Sequence, residues 1–353
     1  MKNLFQILSG LALTIIFSLQ VSAGNRQTTL PVLTNYRIPL NQKGAFIGRF
    51  VISGNFAKGN IVLQKDTAGL FRIDREGKVY LKSLTRLTAA IPGFCYGITV
   101  GFGEKSVEYN LVKDEFIHTP VVAHRGAWKN QPGSENSIGS LKSAIALGCA
   151  ASEFDVWWSA DHVPVICHDP SIRGKVVEKT TAKELHAIDL ENDEGVPSLE
   201  QYLKTTVLQN KTRLVLEIKS SQISQQRTLE LTDAVVRMVH DLKAQAWVDY
   251  ISFNYGALLR IRELDPTTHI AYLKDDKSIE TLASDKISGL DYPFYSFQRD
   301  SSLIGKAHKV GLTVNVWTVN DAKELVHYLN EGVDFITTNE PEQLIQLVVE
   351  KNK

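Results

Sequence analysis

Charged residues recur two positions apart in two apolar segments of this 353-residue chain, a spacing that puts both side chains on one face of a β-strand. Glu153 and Asp155 form one pair, and Glu217 lies two residues before Lys219 in the other. Three buried carboxylates that converge repel one another unless a cation lies between them. Oxygen ligands alone suit Ca²⁺ or Mg²⁺ rather than zinc. If the two strands are neighbours, the sequence predicts one divalent ion beside Glu153, Asp155 and Glu217.

Two histidines and two cationic side chains accompany these carboxylates. His124 and Arg125 follow one apolar run, and His168 follows another. Cleavage of a P–O bond requires one group that accepts a proton and another that protonates the leaving alkoxide. Arg125 and Lys219 add positive charge, which suits a phosphodiester whose charge redistributes in the transition state. The set therefore predicts a small phosphodiester substrate, with His124 and His168 as the acid/base pair.

The elements that must position these residues begin after Pro120, where apolar strands alternate with helical patterns. Eight strands are predicted, at residues 121–123, 151–156, 213–218, 248–253, 269–273, 287–290, 313–316 and 335–337. Helical patterns are predicted between them at residues 137–147, 198–205, 226–242, 256–264, 301–310 and 322–331. Eight such units predict a (β/α)8 (TIM) barrel over residues 118–353. In that fold the active site lies at the C-terminal ends of the strands, where these charged residues fall.

The N-terminal part of the chain has a different sequence pattern. Residues 1–23 combine Lys2, an apolar run and a small-residue cleavage pattern at Val21, Ser22 and Ala23, which predicts a secretory signal peptide. We therefore expect an exported protein, periplasmic or secreted, with no stable membrane span after cleavage. Residues 24–117 contain short alternating runs separated by Gly and Asp, which predicts a small all-β sandwich, loosely similar to a cadherin-type repeat. The sequence does not reveal the role of this domain.

Composition limits the possible partners. Lys plus Arg and Asp plus Glu both number 39, so no overall positive field is available to hold a nucleic acid. The three cysteines, Cys95, Cys149 and Cys167, form an odd set without short metal-type spacing. This set indicates neither a disulfide framework nor a zinc site, although one pair remains able to bridge in an oxidising compartment. Oligomeric state cannot be read from the sequence.

Six separated motifs together resemble the glycerophosphodiester phosphodiesterase family, over essentially residue 119 to the C-terminus. They are Ala123-His124-Arg125-Gly126, Glu135-Asn136-Ser137, Glu153 with Asp155, His168-Asp169, and Glu217 with Lys219, followed by Val316-Trp317-Thr318-Val319-Asn320. The resemblance implies metal-dependent hydrolysis of glycerophosphodiesters to sn-glycerol 3-phosphate and an alcohol. In the family, a glycerol hydroxyl is thought to attack phosphorus and form a cyclic phosphate that water then opens.

The resemblance also implies a role for each matching residue. Glu153, Asp155 and Glu217 would hold the metal, and His124 and His168 would act as acid and base, in an order that the sequence leaves open. Phosphate contacts would come from Arg125 and Lys219, a wall for the glycerol from Trp317, and support near the metal from Glu135 and Asn136. One departure is Asn339, which stands where an Asp is common, and Asp169 is interpreted as an orienting partner.

Three alternatives remain open at this point. A lysophospholipase D or sphingomyelinase-D-like phosphodiesterase uses a similar set of residues, and an apolar mouth formed by Tyr292, Pro293, Phe294, Tyr295 and Phe297 would favour it. A barrel glycosidase with two catalytic glutamates is less compatible with His124 and His168 beside two cationic residues. A catalytically inactive surface binding protein would normally lack one of the catalytic or ligand residues, and none is missing here.

Overall fold

The computed structural model describes residues 31–52 and 61–351. The predicted signal peptide lies outside these residues, as do residues 24–30 and 53–60 of the predicted sandwich domain. Within them the chain forms an N-terminal all-β region followed by a closed barrel with helices around it.

Two four-stranded sheets make up the N-terminal region and confirm the predicted sandwich. One sheet has the order β1-β3-β6-β5 and the other β2-β8-β7-β4. The strands are β1 (Val32–Leu33), β2 (Arg37–Ile38), β3 (Phe46–Val51), β4 (Ile61–Asp66), β5 (Phe71–Ile73), β6 (Lys78–Leu81), β7 (Cys95–Phe102) and β8 (Lys105–Lys113). Aromatic side chains join the two sheets, because the Phe50 ring lies 5.1 Å from that of Phe102 and 5.2 Å from that of Tyr109. Strands β1 and β2 were not predicted, since two residues are too few to show alternation.

Eight parallel strands close the barrel in sequence order, with the last strand paired to the first. They are β9 (Val121–Ala123), β10 (Ala151–Trp158), β14 (Arg213–Ile218), β15 (Val248–Ser252), β16 (Ile270–Tyr272), β17 (Gly289–Pro293), β18 (Thr313–Trp317) and β19 (Phe335–Thr338). An antiparallel strand, β11 (Pro164–Ile166), pairs with β10, and β12 (Ser171–Ile172) pairs with β13 (Lys175–Val176). The (β/α)8 prediction is therefore confirmed.

Ten α-helices surround this barrel among the described residues. They are α1 (Ile138–Leu147), α2 (Ala182–His186), α3 (Leu199–Thr206), α4 (Gln225–Asp241), α5 (Tyr255–Leu264), α6 (Ile279–Ser284), α7 (Phe294–Arg299), α8 (Leu303–Lys309), α9 (Ala322–Glu331) and α10 (Pro341–Lys351). Local sequence explains their ends: Ser137 caps α1 in a reciprocal capping box, and Gly148 ends it in a left-handed conformation. None of the described helices is long and apolar enough to cross a membrane.

One predicted strand was misplaced. Residues 287–290 were expected to form the sixth strand, but β17 begins at Gly289 and runs to Pro293. The Ile287 amide donates to the Leu282 carbonyl, so residues 285–287 belong to the turn that ends α6. The apolar sequence after Pro293 forms α7, which buries Phe297 and leaves Tyr295 exposed.

The sandwich packs against the N-terminal end of the barrel. Arg37 donates from Nε to the Ala246 carbonyl over 2.8 Å, just before β15. Thr267, before β16, donates from Oγ1 to the Leu33 carbonyl over 2.8 Å. The rings of Phe116 and Trp247 meet edge to face at 6.2 Å. Each barrel residue precedes its strand, so the sandwich lies at the end opposite the C-terminal mouth.

Candidate active site

The chemically active residues meet at the C-terminal mouth of the barrel. A cavity of about 230 Å³ opens there. Its lining includes both histidines, Arg125 and the three carboxylates that the sequence singled out, together with an apolar wall and a polar floor. The lining residues are His124, Arg125, Glu153, Asp155, His168, Glu217, Ile251, Phe253, Leu273, Asp291, Trp317, Thr318 and Thr337.

Three carboxylates form one compact acidic cluster in this cavity. One oxygen each from Glu153, Asp155 and Glu217 lies within 4.8 Å of the others, and all three residues are buried. Strand register explains the convergence, because Asp155 of β10 is the direct Cα partner of Glu217 of β14. Burial, followed by repulsion from Asp155, raises the pKa of Glu153 well above its ordinary value. Burial also raises the pKa of Glu217 to about 8, against the opposing effect of Lys219.

This cluster fits a hard divalent cation. Its donors are all carboxylate oxygens, which Ca²⁺ and Mg²⁺ prefer. A divalent charge would also relieve the repulsion that the buried carboxylates exert on one another. The observed geometry can therefore hold a metal ion at Glu153, Asp155 and Glu217.

Two cationic side chains border the acidic cluster. The Lys219 ammonium lies 2.7 Å from Asp155 Oδ1 and 2.9 Å from Glu217 Oε1. Although burial alone would raise the Asp155 pKa, the Lys219 ammonium lowers it below its ordinary value. Arg125 lies 3.8 Å from Asp155 Oδ2, and its backbone amide donates to Glu153 Oε2 over 2.9 Å. Arg125 therefore lines the cavity itself, whereas Lys219 is paired with two of the carboxylates and does not line the cavity.

Glu135 and Asn136 support the site from the loop before α1. Arg125 donates from Nη1 to Glu135 Oε2 over 2.9 Å, so Glu135 contacts the arginine and is not part of the three-residue cluster. Asn136 donates from Nδ2 to Asp155 Oδ2 over 2.9 Å and accepts from the Asp155 amide over 3.2 Å. These contacts fix the orientation of Arg125 and Asp155.

The two histidines differ in their surroundings. His124 Nδ1 lies 2.8 Å from Asn339 Oδ1, and an amide oxygen there places the ring proton on Nδ1 and leaves Nε2 as a proton acceptor. Burial, together with the nearby Arg125 charge, lowers the His124 pKa to about 4. His168 Nδ1 lies 2.7 Å from Asp169 Oδ1 in a more open position. The neutral form of His124 is therefore favoured, and Asp169 orients His168.

The inner wall of the cavity is apolar and well ordered by packing. Trp317 donates from Nε1 to the Asp291 carbonyl over 2.8 Å, and its ring meets that of Phe253 edge to face at 5.8 Å. Sequence reasoning did not identify Asp291, whose side chain forms part of the cavity floor. The predicted sixth strand ended at residue 290, one residue before Asp291, so the sequence pattern did not place this carboxylate within a strand.

A second, outer pocket of about 370 Å³ adjoins the cavity. His168 lines both spaces, whereas His124 lines only the inner one. The outer pocket is also bordered by Trp128, Glu135 and Arg173. The two histidines thus differ in the spaces that they border.

Fold and site together define a barrel enzyme of the phosphodiesterase class, with an acidic cluster, two cations and a histidine pair at its mouth. The model of the glycerophosphoryl diester phosphodiesterase family matches residues 124–343. That match covers more than half of the chain and includes every residue of the site. This chain belongs to that family.

Individual relatives agree with the family match. A glycerophosphodiester phosphodiesterase of Caldanaerobacter subterraneus is 28% identical over 247 residues, covering 66% of this chain and 98% of the relative. A crystal structure of a glycerophosphodiester phosphodiesterase from Parabacteroides distasonis is 37% identical, with a TM-score of 0.65, covering 67% of this chain and 100% of that one. A phosphodiesterase of Oleispira antarctica, solved with its product sn-glycerol-3-phosphate, is 25% identical, with a TM-score of 0.57, covering 66% of this chain and 97% of that one. In each case the similarity spans about two thirds of this chain.

Proposed function

We propose that this protein hydrolyses glycerophosphodiesters to sn-glycerol 3-phosphate and an alcohol, with the help of one divalent cation, Ca²⁺ or Mg²⁺. The observation that carries the proposal is that three buried carboxylate oxygens within 4.8 Å of one another share a cavity with two histidines and an arginine. Family membership and the product bound to the Oleispira antarctica relative support the same substrate class.

Glu153, Asp155 and Glu217 would hold the cation. When bound, the cation supplies charge neutralisation for the non-bridging phosphate oxygens. Arg125 and Lys219 border the cluster and would bind the same oxygens, with Glu135 and Asn136 fixing the positions of Arg125 and Asp155. These contacts would orient the phosphorus for attack and offset the charge that shifts onto oxygen.

The positions of the histidines suggest how the proton moves. His124 lines only the inner cavity and presents an unprotonated Nε2, so it would accept the proton of the attacking glycerol hydroxyl. His168 borders the outer pocket, so it would protonate the alkoxide that leaves on that side, and water would then open the resulting cyclic phosphate to sn-glycerol 3-phosphate. The glycerol would then occupy the inner cavity beside Trp317, and the leaving alcohol would occupy the outer pocket.

A lipid phosphodiesterase is the second candidate, because α7 leaves two aromatic side chains exposed after β17. Phe294 is 37% exposed and Tyr295 is 52% exposed. Tyr292 and Phe297, by contrast, are buried, so only part of the predicted apolar mouth is available to a lipid. Export to the periplasm or medium is a further proposal, supported by the apolar N-terminal run.

Turnover of a panel of glycerophosphodiesters and lysophospholipids, with Ca²⁺ or Mg²⁺ added, tests the proposal. His124→Ala and Glu217→Ala should each lower kcat by at least about 100-fold, because one removes proton transfer and the other a cation ligand. Both variants should still unfold in a single cooperative transition. His327→Ala, an exposed histidine on α9, is the matched control and should be unaffected. Unchanged turnover in either site variant would contradict the proposal.

A further inference from the structure

The floor of the inner cavity holds a carboxylate that the proposed chemistry does not use. Asp291 lies in β17, directly beside Asn315 of β18, and is 3% exposed. Asn315 Nδ2 donates to Asp291 Oδ1 over 2.8 Å and to Thr337 Oγ1 over 2.8 Å. These three side chains form a polar layer across three neighbouring strands, and Asp291 and Thr337 line the same cavity as the histidines and the acidic cluster.

Asp291 lacks the partners that a buried carboxylate normally has. Among the described residues it forms no ion pair and receives a single side-chain hydrogen bond, at Oδ1. Burial raises its pKa to about 7, and the bond from Asn315 opposes that rise only in part. Asp249, in the neighbouring part of the same barrel, shows the usual arrangement: Arg213 lies 2.6 Å away, and although burial alone would raise the Asp249 pKa, this arginine lowers it.

A buried carboxylate with so few partners is a candidate for a functional role, because burying a charged group without partners costs free energy. Its second oxygen has no hydrogen-bond donor among the described residues. The walls above it, at Ile251, Phe253, Leu273 and Trp317, are apolar. The cavity therefore offers carbon contacts along its sides and one strong acceptor at its inner end.

We propose that Asp291 accepts a hydrogen bond from the terminal hydroxyl of the glycerol moiety, which makes the enzyme selective for deacylated phosphodiesters. The inference rests on the proposed function and deepens it. With the phosphate at the mouth and the chain of three carbons along the apolar wall, the terminal hydroxyl is the innermost group. An ester at that position has no proton to donate and would leave the carboxylate unpaired.

Cavity size leads to the same substrate class. A cavity of about 150 Å³ holds benzene, with roughly six non-hydrogen atoms. At that density, the 230 Å³ cavity has room for roughly nine such atoms, close to a glycerol unit with its phosphorus. An acyl group on the terminal oxygen would meet the floor formed by Asp291 and Thr337, and the neighbouring pocket that Asp291 also lines has a volume of only about 30 Å³.

Kinetics on three substrates with the metal-supplemented protein test this assignment. The substrates are sn-glycero-3-phosphocholine, the analogue with a 2-hydroxypropyl group that lacks the terminal hydroxyl, and a 1-acyl lysophosphatidylcholine below its micelle concentration. At about pH 8, above the raised pKa of Asp291, we expect the wild type to favour the first over the second by about 10- to 100-fold in kcat/KM, the range for a hydrogen bond to a charged group. Turnover of the acylated substrate should be lower still.

The variants separate substrate binding from structural support. Asp291→Ala should lower kcat/KM on sn-glycero-3-phosphocholine by about the same 10- to 100-fold and leave the 2-hydroxypropyl analogue within about threefold of wild type. Asp291→Asn keeps the side-chain shape and provides a second test if the alanine variant folds poorly. Asp241→Asn, on an exposed residue at the end of α4, is the matched control and should leave both values unchanged.

Two results would overturn the inference while the proposed function stands. One is an equal loss on both soluble substrates in the Asp291 variants, which would indicate a structural role. The other is wild-type turnover of the acylated substrate comparable to that of sn-glycero-3-phosphocholine. Absence of wild-type turnover on every substrate would overturn the proposed function, and the inference with it.

Discussion

Replacing Asp291 with asparagine should stabilise the barrel, and the gain should increase with pH. Burial raises the pKa of this carboxyl from an ordinary value of 3.8 to about 7. Below both values the carboxyl is protonated whether the chain is folded or unfolded, so it costs nothing. Between them the unfolded chain has lost the proton and the folded barrel retains it, so stability falls as pH rises. Above about pH 7 the penalty is complete and constant.

The size of the effect follows from the shift. One pKa unit corresponds to about 1.4 kcal/mol, so a rise of about three units gives a full penalty of about 4 kcal/mol. At about pH 5, only about 1.6 kcal/mol of this penalty is present. The difference in unfolding free energy between Asp291→Asn and wild type should therefore grow by roughly 2 to 3 kcal/mol from pH 5 to pH 8.

Urea unfolding followed by tryptophan fluorescence measures this difference. All five tryptophans follow residue 120 and belong to the barrel, and Trp247 also contacts Phe116 where the sandwich packs against it. A chelator in every sample restricts the titration to the groups of the chain itself. Asp241→Asn, which removes a carboxylate at the surface, is the matched control variant. A difference for Asp291→Asn that is independent of pH, or that shrinks as pH rises, would refute the reasoning.

Two further predictions concern the mouth of the barrel. A chelator should reduce turnover by at least about 100-fold, because the buried carboxylates are arranged for a cation. Added Ca²⁺ or Mg²⁺ should restore the activity. Turnover that is unaffected by the chelator would exclude the metal role. Asn339→Asp should raise the His124 pKa by about one to two units, since a carboxylate 2.8 Å from Nδ1 favours the charged ring. The acid limb of kcat/KM against pH should then move to higher pH, and an unmoved limb would argue against His124 as the base.

The barrel was predictable because its strands are short apolar runs with charged residues at fixed places. The alternation of Glu153 and Asp155, and the order of the motifs, predicted which side chains would share the mouth. The helix over residues 322–331 was predicted with its observed ends, because Asp321 caps it and Gly332 ends it.

Other features depend on contacts that sequence patterns do not report. The partner of His124 is 215 residues away at Asn339, a position that the sequence marked only as a departure from the family pattern. The role of Asp291 was hidden because the end of α6, and not hydrophobicity, decides where β17 begins. Helix α7 escaped prediction because six residues rich in aromatics show no helical period.

The placement of the sandwich also affects how the molecule can be presented. Its contacts with Ala246, Trp247 and Thr267 lie at the N-terminal end of the barrel, so the catalytic cavity opens at the opposite end. A molecule held on a bead or scaffold through its sandwich would turn its opening toward the bulk solution. Fusion partners and surface linkages placed there should leave diffusion of substrate into the cavity unobstructed.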